Sequence, residues 1–453
     1  MKKNNTIGIF HYQLGFTDGV SLEVDKWKEV LESMGHRVLL CAGRFGSQEG
    51  IQLPELYHHR PECVMVNQNL LGLRDDLPTP TLEKLVQEQI VNLERGLKDI
   101  IIENKIEILL VNNIWSVALN IPAAIALENV RKELDLKAFA HHHDFYWERI
   151  INRVLNRKGI NHILEKYQPP RDPKIKNFVI NSIAQSSLQE FKGLTSKVVP
   201  NVFDFDGEDW VIDHYNQDLR QRIGLREGDI CILQATRIVP RKGIEMAIEV
   251  VKALNEPHRR AVLEQRGLYN GCEFNSNNKI VLVLAGYDRD DPSGVYLKKL
   301  KAKAENLGID LRHIDSIVSS ERKVENGEKK YALWDTYAIA DLITYPSIWE
   351  GWGNQLLEAF KAKLPIVMFE YPVYLQDIKK KGFDVISLGS EMIGRDQLSL
   401  VLISDETIQQ AANECVTFLT SQAAREKMVN KNYSIAKKYY SMDELKAQLE
   451  KCF

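Results

Sequence analysis

The 453-residue sequence has no run of about 18 uninterrupted apolar residues, the length a membrane-crossing helix needs, so no segment is expected to span a bilayer. Its first stretch, MKKNNTIGIFHYQLGF, starts basic but lacks the apolar core and small-residue cleavage site of a secretory signal. An excess of one charge is also missing. Lys plus Arg number 59 against 62 Asp plus Glu, a net charge near −3, which removes the electrostatic footing of a general nucleic-acid binder. The six cysteines, Cys41, Cys63, Cys231, Cys272, Cys415 and Cys452, form no C-x-x-C pair and are scattered, which points to reduced packing residues in a cytoplasmic protein rather than a disulfide or zinc framework. No G-x-G-x-x-G follows the first strand of either half, which disfavours a nicotinamide-dependent dehydrogenase. Internal repeats and low-complexity tracts are absent as well.

What is present is a soluble composition, 44% apolar and 27% charged, on a chain too long for one ordinary core. Short apolar runs alternate with helical periodicity, the pattern of parallel sheets covered by helices. A first series comprises IGIF (7–10), HRVLLCAG (36–43), IEILLVNN (106–113), KAFAHH (137–142), NFVINS (177–182) and KVVPN (197–201). A second comprises DICILQATR (229–237), KIVLVLAG (279–286), DLITYPS (341–347) and LPIVMFEY (364–371). The chain is therefore expected to be α/β, with two Rossmann-like, doubly wound parallel-sheet domains joined near 198–210 and facing one cleft. Residues 255–278 read as a surface elaboration.

Two constellations carry chemistry. In YPSIWEGWGNQLLEAF (345–360), a strand delivers Ser347–Gly353 to the carboxyl edge of the sheet and a helix starts at Asn354. Gly351 and Gly353 allow close backbone approach to a ligand, and the helix start offers N–H groups to oxygen-rich or anionic groups. Glu350 suits sugar hydroxyls and Glu358 a ribose diol, the alternative being a solvated glutamate pair beside a tight turn. In ATRIVPRKGIEMAIE (235–249), Arg237 and Lys242 bracket a strand end and helix start, a natural pyrophosphate site, with Arg241 the more solvated cation. The alternative there is a basic surface loop.

Arg237 with Lys242, followed by Glu350-x7-Glu358, resembles the donor site of GT-B glycosyltransferases of the family 4 type, and VPNVFD (199–204) resembles the family's domain junction. The resemblance covers nearly the whole chain. It implies a retaining transferase in which Lys242 and Arg237 hold the donor diphosphate, and Glu350 with Gly351, Trp352, Gly353, Asn354 and Gln355 holds the donor sugar. It further implies that Glu358 binds the nucleoside ribose. Residues 1–200 are expected to form the acceptor-side domain, with a closing helix 434–453 returning to it through Tyr440, Leu445 and Leu449, and 201–433 the donor domain.

The family's Gly-Gly pair after the first strand falls here on Asp18-Gly19, so this loop either approaches the diphosphate through Gly19, addresses a polar acceptor, or is simply a turn and helix cap. In FAHHHDFYWER (139–149), strand alternation points His141 and His143 one way and His142 the other. His143-Asp144 matches the family's cleft histidine best, with His142 a stand-in; strand-end packing beside Trp147 and a metal site are the alternatives. The D-x-D strings 204–206 and 288–290 read as solvated loops, since cationic side chains already serve the diphosphate.

The expected activity is metal-independent, cofactor-free transfer of a hexosyl unit from a nucleotide-diphosphate sugar to a small hydrophilic acceptor. The expected catalytic groups are His143, Arg237, Lys242 and Glu350, with Tyr12, Asp18, His142, Asp144 and Tyr146 on the acceptor side. A nucleotide-sugar epimerase and a non-catalytic nucleotide-sugar binder remain as alternatives.

Overall fold

The apolar runs resolve, in a computed structural model, into two parallel sheets, each in its own unit. The structure describes residues 4–16, 18–148, 160–288, 291 and 293–453. Thr17, Arg149, Arg289 and Asp290, which belong to stretches singled out above, lie outside the described residues.

The first unit runs to Val202 and takes in Met442–Phe453. Its strands are β1 (Thr6–Leu14), β2 (Arg37–Phe45), β3 (Ile51–Gln52), β4 (Ile108–Asn112), β5 (Lys137–His142), β6 (Ile175–Val179) and β7 (Ser196–Val198), in the order β3-β2-β1-β4-β5-β6-β7. All neighbouring pairs are parallel. Both faces are covered, which is why the central strands are apolar on both sides. On one face, Trp27, Val30 and Leu31 of the helix Gly19–Ser33 pack with Leu445 and Leu449 of the helix Met442–Leu449 over Ile7, Ile9 and Leu110. On the other, the helices Thr79–Glu103 and Ile121–Glu133 bring Leu93, Leu97 and Leu127 onto Phe10, Leu109 and Val111. Strand order reverses between β1 and β4, which makes their carboxyl ends the place where such a sheet binds ligands. There β1 and β2 overrun the sheet: β1 pairs with β4 only as far as Phe10, but with β2 as far as Leu14.

The second unit, Phe203–Ser441, contains β8 (Ile230–Gln234), β9 (Ile280–Leu284) and β10 (Asp310–His313). A small sheet of β11 (Val318–Ser319), β12 (Lys323–Glu325) and β13 (Glu328–Ala332) follows. The main sheet then continues with β14 (Leu342–Tyr345), β15 (Ile366–Met368) and β16 (Ile386–Ser387), in the order β10-β9-β8-β14-β15-β16, all parallel. Its switch point lies between β8 and β14.

Three expectations need correction. The first unit extends past residue 200 to Val202, because Val199 and Val202 are buried in its core. The closing helix is two helices, Gln422–Tyr440 and Met442–Leu449, separated at Ser441, whose backbone is extended. Phe203 N takes the Tyr440 carbonyl at 2.8 Å, so Tyr440 stays in the second unit while Leu445 and Leu449 enter the first. Residues 255–278 are no mere elaboration: the helix Pro257–Arg266 and the segment after it bury Leu263, Leu268 and Phe274 in the second core, and Arg259 caps the Ala253 carbonyl at 2.9 Å.

Candidate active site

In the second unit, the loops leaving β8 and β14 are locked together before any functional side chain is placed. Thr344 donates to Gln234 Oε1 at 2.7 Å and Gln234 Nε2 to Thr236 Oγ1 at 2.5 Å. Ile348 N donates to the Arg241 carbonyl at 2.9 Å. Gly243, at φ +57°, starts the helix Ile244–Leu254 where a Cβ would lie 2.4 Å from the Pro346 carbonyl, so only glycine lets the loops approach this closely. Gly353, at φ +118°, does the same before the helix Asn354–Lys361: its Cβ would meet the Tyr371 hydroxyl at 2.2 Å, and that hydroxyl donates to the Trp352 carbonyl at 2.7 Å. Trp352 is buried against Tyr440, ring centres 5.1 Å apart, whereas Trp349 is exposed.

This frame brings two predicted residues, Lys242 and Glu350, together with the discounted Arg241. Glu350 is buried; Lys242 Nζ hydrogen-bonds its Oε1, and Arg241 Nη1 donates to its Oε2 at 2.8 Å and to the Trp349 carbonyl at 3.1 Å. Burial would raise the Glu350 carboxyl, but Lys242 and Arg241 outweigh it and hold the group at about 2. Burial lowers the Lys242 ammonium from its ordinary value; Glu350 opposes that, while Arg241 and Arg237 push the same way as burial. Arg241 is thus half of a clamp on Glu350 rather than a solvated cation. Its signal in the sequence was only adjacency to Lys242. Glu358 is half-buried and accepts from the Tyr337 hydroxyl at 2.5 Å. Gln355 is buried in the first turn of the same helix, and Gly351 and Asn354 are half-buried at its approach.

In the first unit, the corresponding strand ends gather uncharged polar groups. Asn112 ends β4 and Asn113 follows it, both buried. His141 Nδ1 lies 3.0 Å and His143 Nε2 3.4 Å from Asn112 Oδ1, while His143 N donates to Asn113 Oδ1 at 2.8 Å. His11 Nδ1 is 2.8 Å from the Asn112 carbonyl. His142 points to the other face, 3.1 Å from Asn177 Oδ1 and beside Phe145, so it is not interchangeable with His143. Burial lowers all these imidazoles: His143 to about 3, with His11 and His142 adding to the effect, and His142 to about 4, with Asn177 opposing. At neutral pH they are therefore uncharged, each offering one donor and one acceptor. Asn112, His11 and Asn113 were missed from sequence, although two polar residues ending the run ILLVNN were the available signal.

Asp18 is a helix cap. Its Oδ1 accepts from Val20 N at 3.1 Å and Ser21 N at 3.0 Å, and its Oδ2 from Ser21 Oγ at 2.8 Å, so the amides that follow Gly19 already serve a carboxylate. Tyr12 is buried, its ring 4.9 Å from His58 and its hydroxyl 3.5 Å from the Ile114 carbonyl. Asp144 is half-buried, and Tyr146 has its phenol raised to about 12 by burial, with Glu165 adding. Of the D-x-D strings, 204–206 forms a turn: Asp204 Oδ1 accepts from Asp206 N at 3.0 Å and Gly207 N at 2.8 Å, and Asp206 pairs with Lys437.

Comparison with known proteins decides the family. The family model described as glycosyl transferases group 1 matches residues 216–434. The mannosylglucosylglycerate synthase of Petrotoga mobilis is 40% identical over 85% of this chain and 87% of its own length. That of Thermotoga maritima is 35% identical over 97% of both chains. The chain belongs to the glycosyl transferases group 1 family. Among solved structures, a glycosyltransferase from Rickettsia africae superposes with a TM-score of 0.62 at 14% identity, covering 99% of this chain and 97% of its own, in keeping with the GT-B fold. As a member of this family, the protein is a retaining hexosyltransferase that takes its sugar from a nucleotide-diphosphate donor and gives it to a small hydrophilic acceptor. No described helix is long and apolar enough to cross a membrane.

Proposed function

We propose that this glycosyltransferase makes mannosylglucosylglycerate in the cytoplasm, by moving a mannosyl unit from a nucleoside diphosphate to glucosylglycerate. The reading of substrate rests on the two relatives of that name, one of them similar from end to end. The observation that carries the chemistry is the cluster of buried Lys242 and Glu350 with half-buried Arg241 at the β8/β14 switch point.

In this reading Lys242 and Arg237 bind the donor diphosphate. Glu350, with the backbone from Gly351 through Trp352, Gly353, Asn354 and Gln355, binds the sugar, and Glu358 binds the ribose. A diphosphate competes with Glu350 for Lys242 and Arg241, so donor binding frees the carboxylate to accept from sugar hydroxyls. The acceptor hydroxyl forms its bond to the anomeric carbon on the face from which the diphosphate departs, and its proton passes to a phosphate oxygen of that leaving group. Three cationic side chains supply the charge that a divalent metal supplies in metal-dependent transferases, so the reaction runs without one. On the acceptor side, neutral His143 and its partner Asn112, with Asp144 and Tyr146, offer hydrogen bonds to a polyol. In this reading Gly19 is not given to the diphosphate, because the Asp18 carboxylate takes the Val20 and Ser21 amides that follow it. No nucleic acid enters the reaction.

The test is product analysis by NMR with glucosylglycerate and each nucleoside-diphosphate mannose, with and without EDTA. A trisaccharide-like product with retained anomeric configuration, formed equally in EDTA, is the expected result. Absence of transfer from every mannosyl donor overturns the substrate reading, and loss of activity in EDTA restored by a divalent ion overturns metal independence.

A further inference from the structure

In the overrun of β1 and β2, Arg44 stands opposite Gln13. Its guanidinium lies 5.1 Å from the centre of the Phe16 ring and 5.7 Å from that of Tyr57, and its Nη1 donates to the Tyr57 hydroxyl at 3.2 Å. The side chain is exposed, and among the described residues no carboxylate is within ion-pair distance of it. Two other cations of the unit are paired: Lys26 with Glu23 at 3.0 Å, and Arg60 with Glu62 at 3.7 Å. The frame that holds Arg44 is tied down, because Gly46 N donates to the Leu14 carbonyl and Ser47 N to that of Gly15, both at 2.9 Å. Two residues beyond Phe16, the Asp18 carboxylate occupies the helix end and so refuses an anion there.

We propose that Arg44 is the anchor for the carboxylate of the acceptor, with the Tyr57 hydroxyl as a second donor. The inference rests on the proposed acceptor, whose glycerate end is a carboxylic acid. A planar guanidinium matches a carboxylate with two parallel hydrogen bonds, and rings on its flanks fix the plane. The Tyr57 hydroxyl, accepting from Arg44, has its own proton left for a carboxylate oxygen. The negative Asp18 confines the anion to Arg44, so the sugar end of the acceptor is directed toward the neutral groups at the ends of β4 and β5. Arg44 is a specificity residue and takes no part in bond making.

The experiment is steady-state kinetics of wild type, Arg44→Gln, Arg44→Lys and Tyr57→Phe with glucosylglycerate and with glucosylglycerol, in which a hydroxymethyl group replaces the carboxylate. Arg44→Gln is expected to raise KM for glucosylglycerate about 10- to 100-fold, the worth of a hydrogen-bonded charge, with Arg44→Lys between it and wild type. KM for glucosylglycerol and for the donor should stay within about 2-fold, which a merely structural arginine would not allow. Unchanged KM for glucosylglycerate in Arg44→Gln, or equal losses on both acceptors, overturns the proposal. Failure of wild type to use glucosylglycerate at all is a different outcome, which overturns the substrate reading and this inference with it.

Discussion

Around the carboxyl ends of β8 and β14, buried groups are kept charged; around those of β1, β4 and β5, they are kept neutral. Glu350 is held at about 2 by Lys242 and Arg241 against its burial, whereas burial takes His143 to about 3 and His142 to about 4. The two sheets have the same topology at these points, with a strand-order reversal beside a strand-to-helix loop. The difference therefore comes from side chains alone. In the proposed function, one loop pair keeps ionised groups that an incoming diphosphate engages by exchange, and the other keeps groups that only trade hydrogen bonds, as the neutral sugar end of the acceptor requires. Fold position says where a ligand binds, and local charge says which kind.

Lys242→Ala should produce the largest effect, a loss of about 100- to 1000-fold in kcat/KM, the range seen when one preorganised donor to a developing negative charge is removed. Steady-state kinetics on protein whose melting curve is cooperative checks it. His143→Gln, which keeps a neutral hydrogen-bonding group, should cost about 10-fold in the same assay. Equal losses for the two substitutions would erase the contrast between charged and neutral loops.

Acid should separate the regions next. The histidines titrate near 6.5 when unfolded but far lower when folded, so the unfolded chain binds more protons and stability falls as pH drops below about 6.5. Each such ring contributes up to about 1.4 kcal/mol per pH unit. The Glu350 carboxyl, depressed from its ordinary 4.5, keeps its full contribution above that value and loses it only as pH falls through about 2. Hydrogen exchange corrected for its intrinsic slowing in acid should therefore quicken between pH 7 and 5 in peptides spanning residues 137–148 and hold steady in those spanning 342–353. Parallel quickening in both would break the assignment.

The smallest effect is expected from Glu350→Gln on binding. Removing the carboxylate that competes for Lys242 and Arg241 should tighten free nucleoside diphosphate about 3- to 10-fold by calorimetry, while turnover falls. Weaker binding would show that Glu350 does not compete with the diphosphate.

Much of this was legible before any coordinates. The apolar runs named every strand of the two main sheets that is buried on both sides, and missed β3, β10 and β16, which are too short or too polar to stand out. Glu350, Lys242 and Glu358 were visible because spacing and neighbours carry their chemistry. Arg241 was misjudged, since its partner lies 109 residues away and no local pattern records an ion pair of that separation. The histidine triplet showed its alternation but not its charge state, which depends on burial by the helix Gly19–Ser33, whose Trp27 ring lies 4.4 Å from that of His141. Tyr440 was grouped with Leu445 and Leu449 because periodicity runs on through Ser441, and a single extended residue is invisible to periodicity.

That break at Ser441 also sets an order of assembly. The core between the first sheet and the helix Gly19–Ser33 is closed by Leu445 and Leu449, and the Phe453 ring lies 4.1 Å from that of Phe139, yet these residues follow the whole of Phe203–Ser441 in the chain. During synthesis the second unit has all its strands in hand while the first still lacks part of one layer. The unit begun first is the one completed last, and until Met442–Phe453 emerge from the ribosome the helix Gly19–Ser33 has an apolar flank to shield.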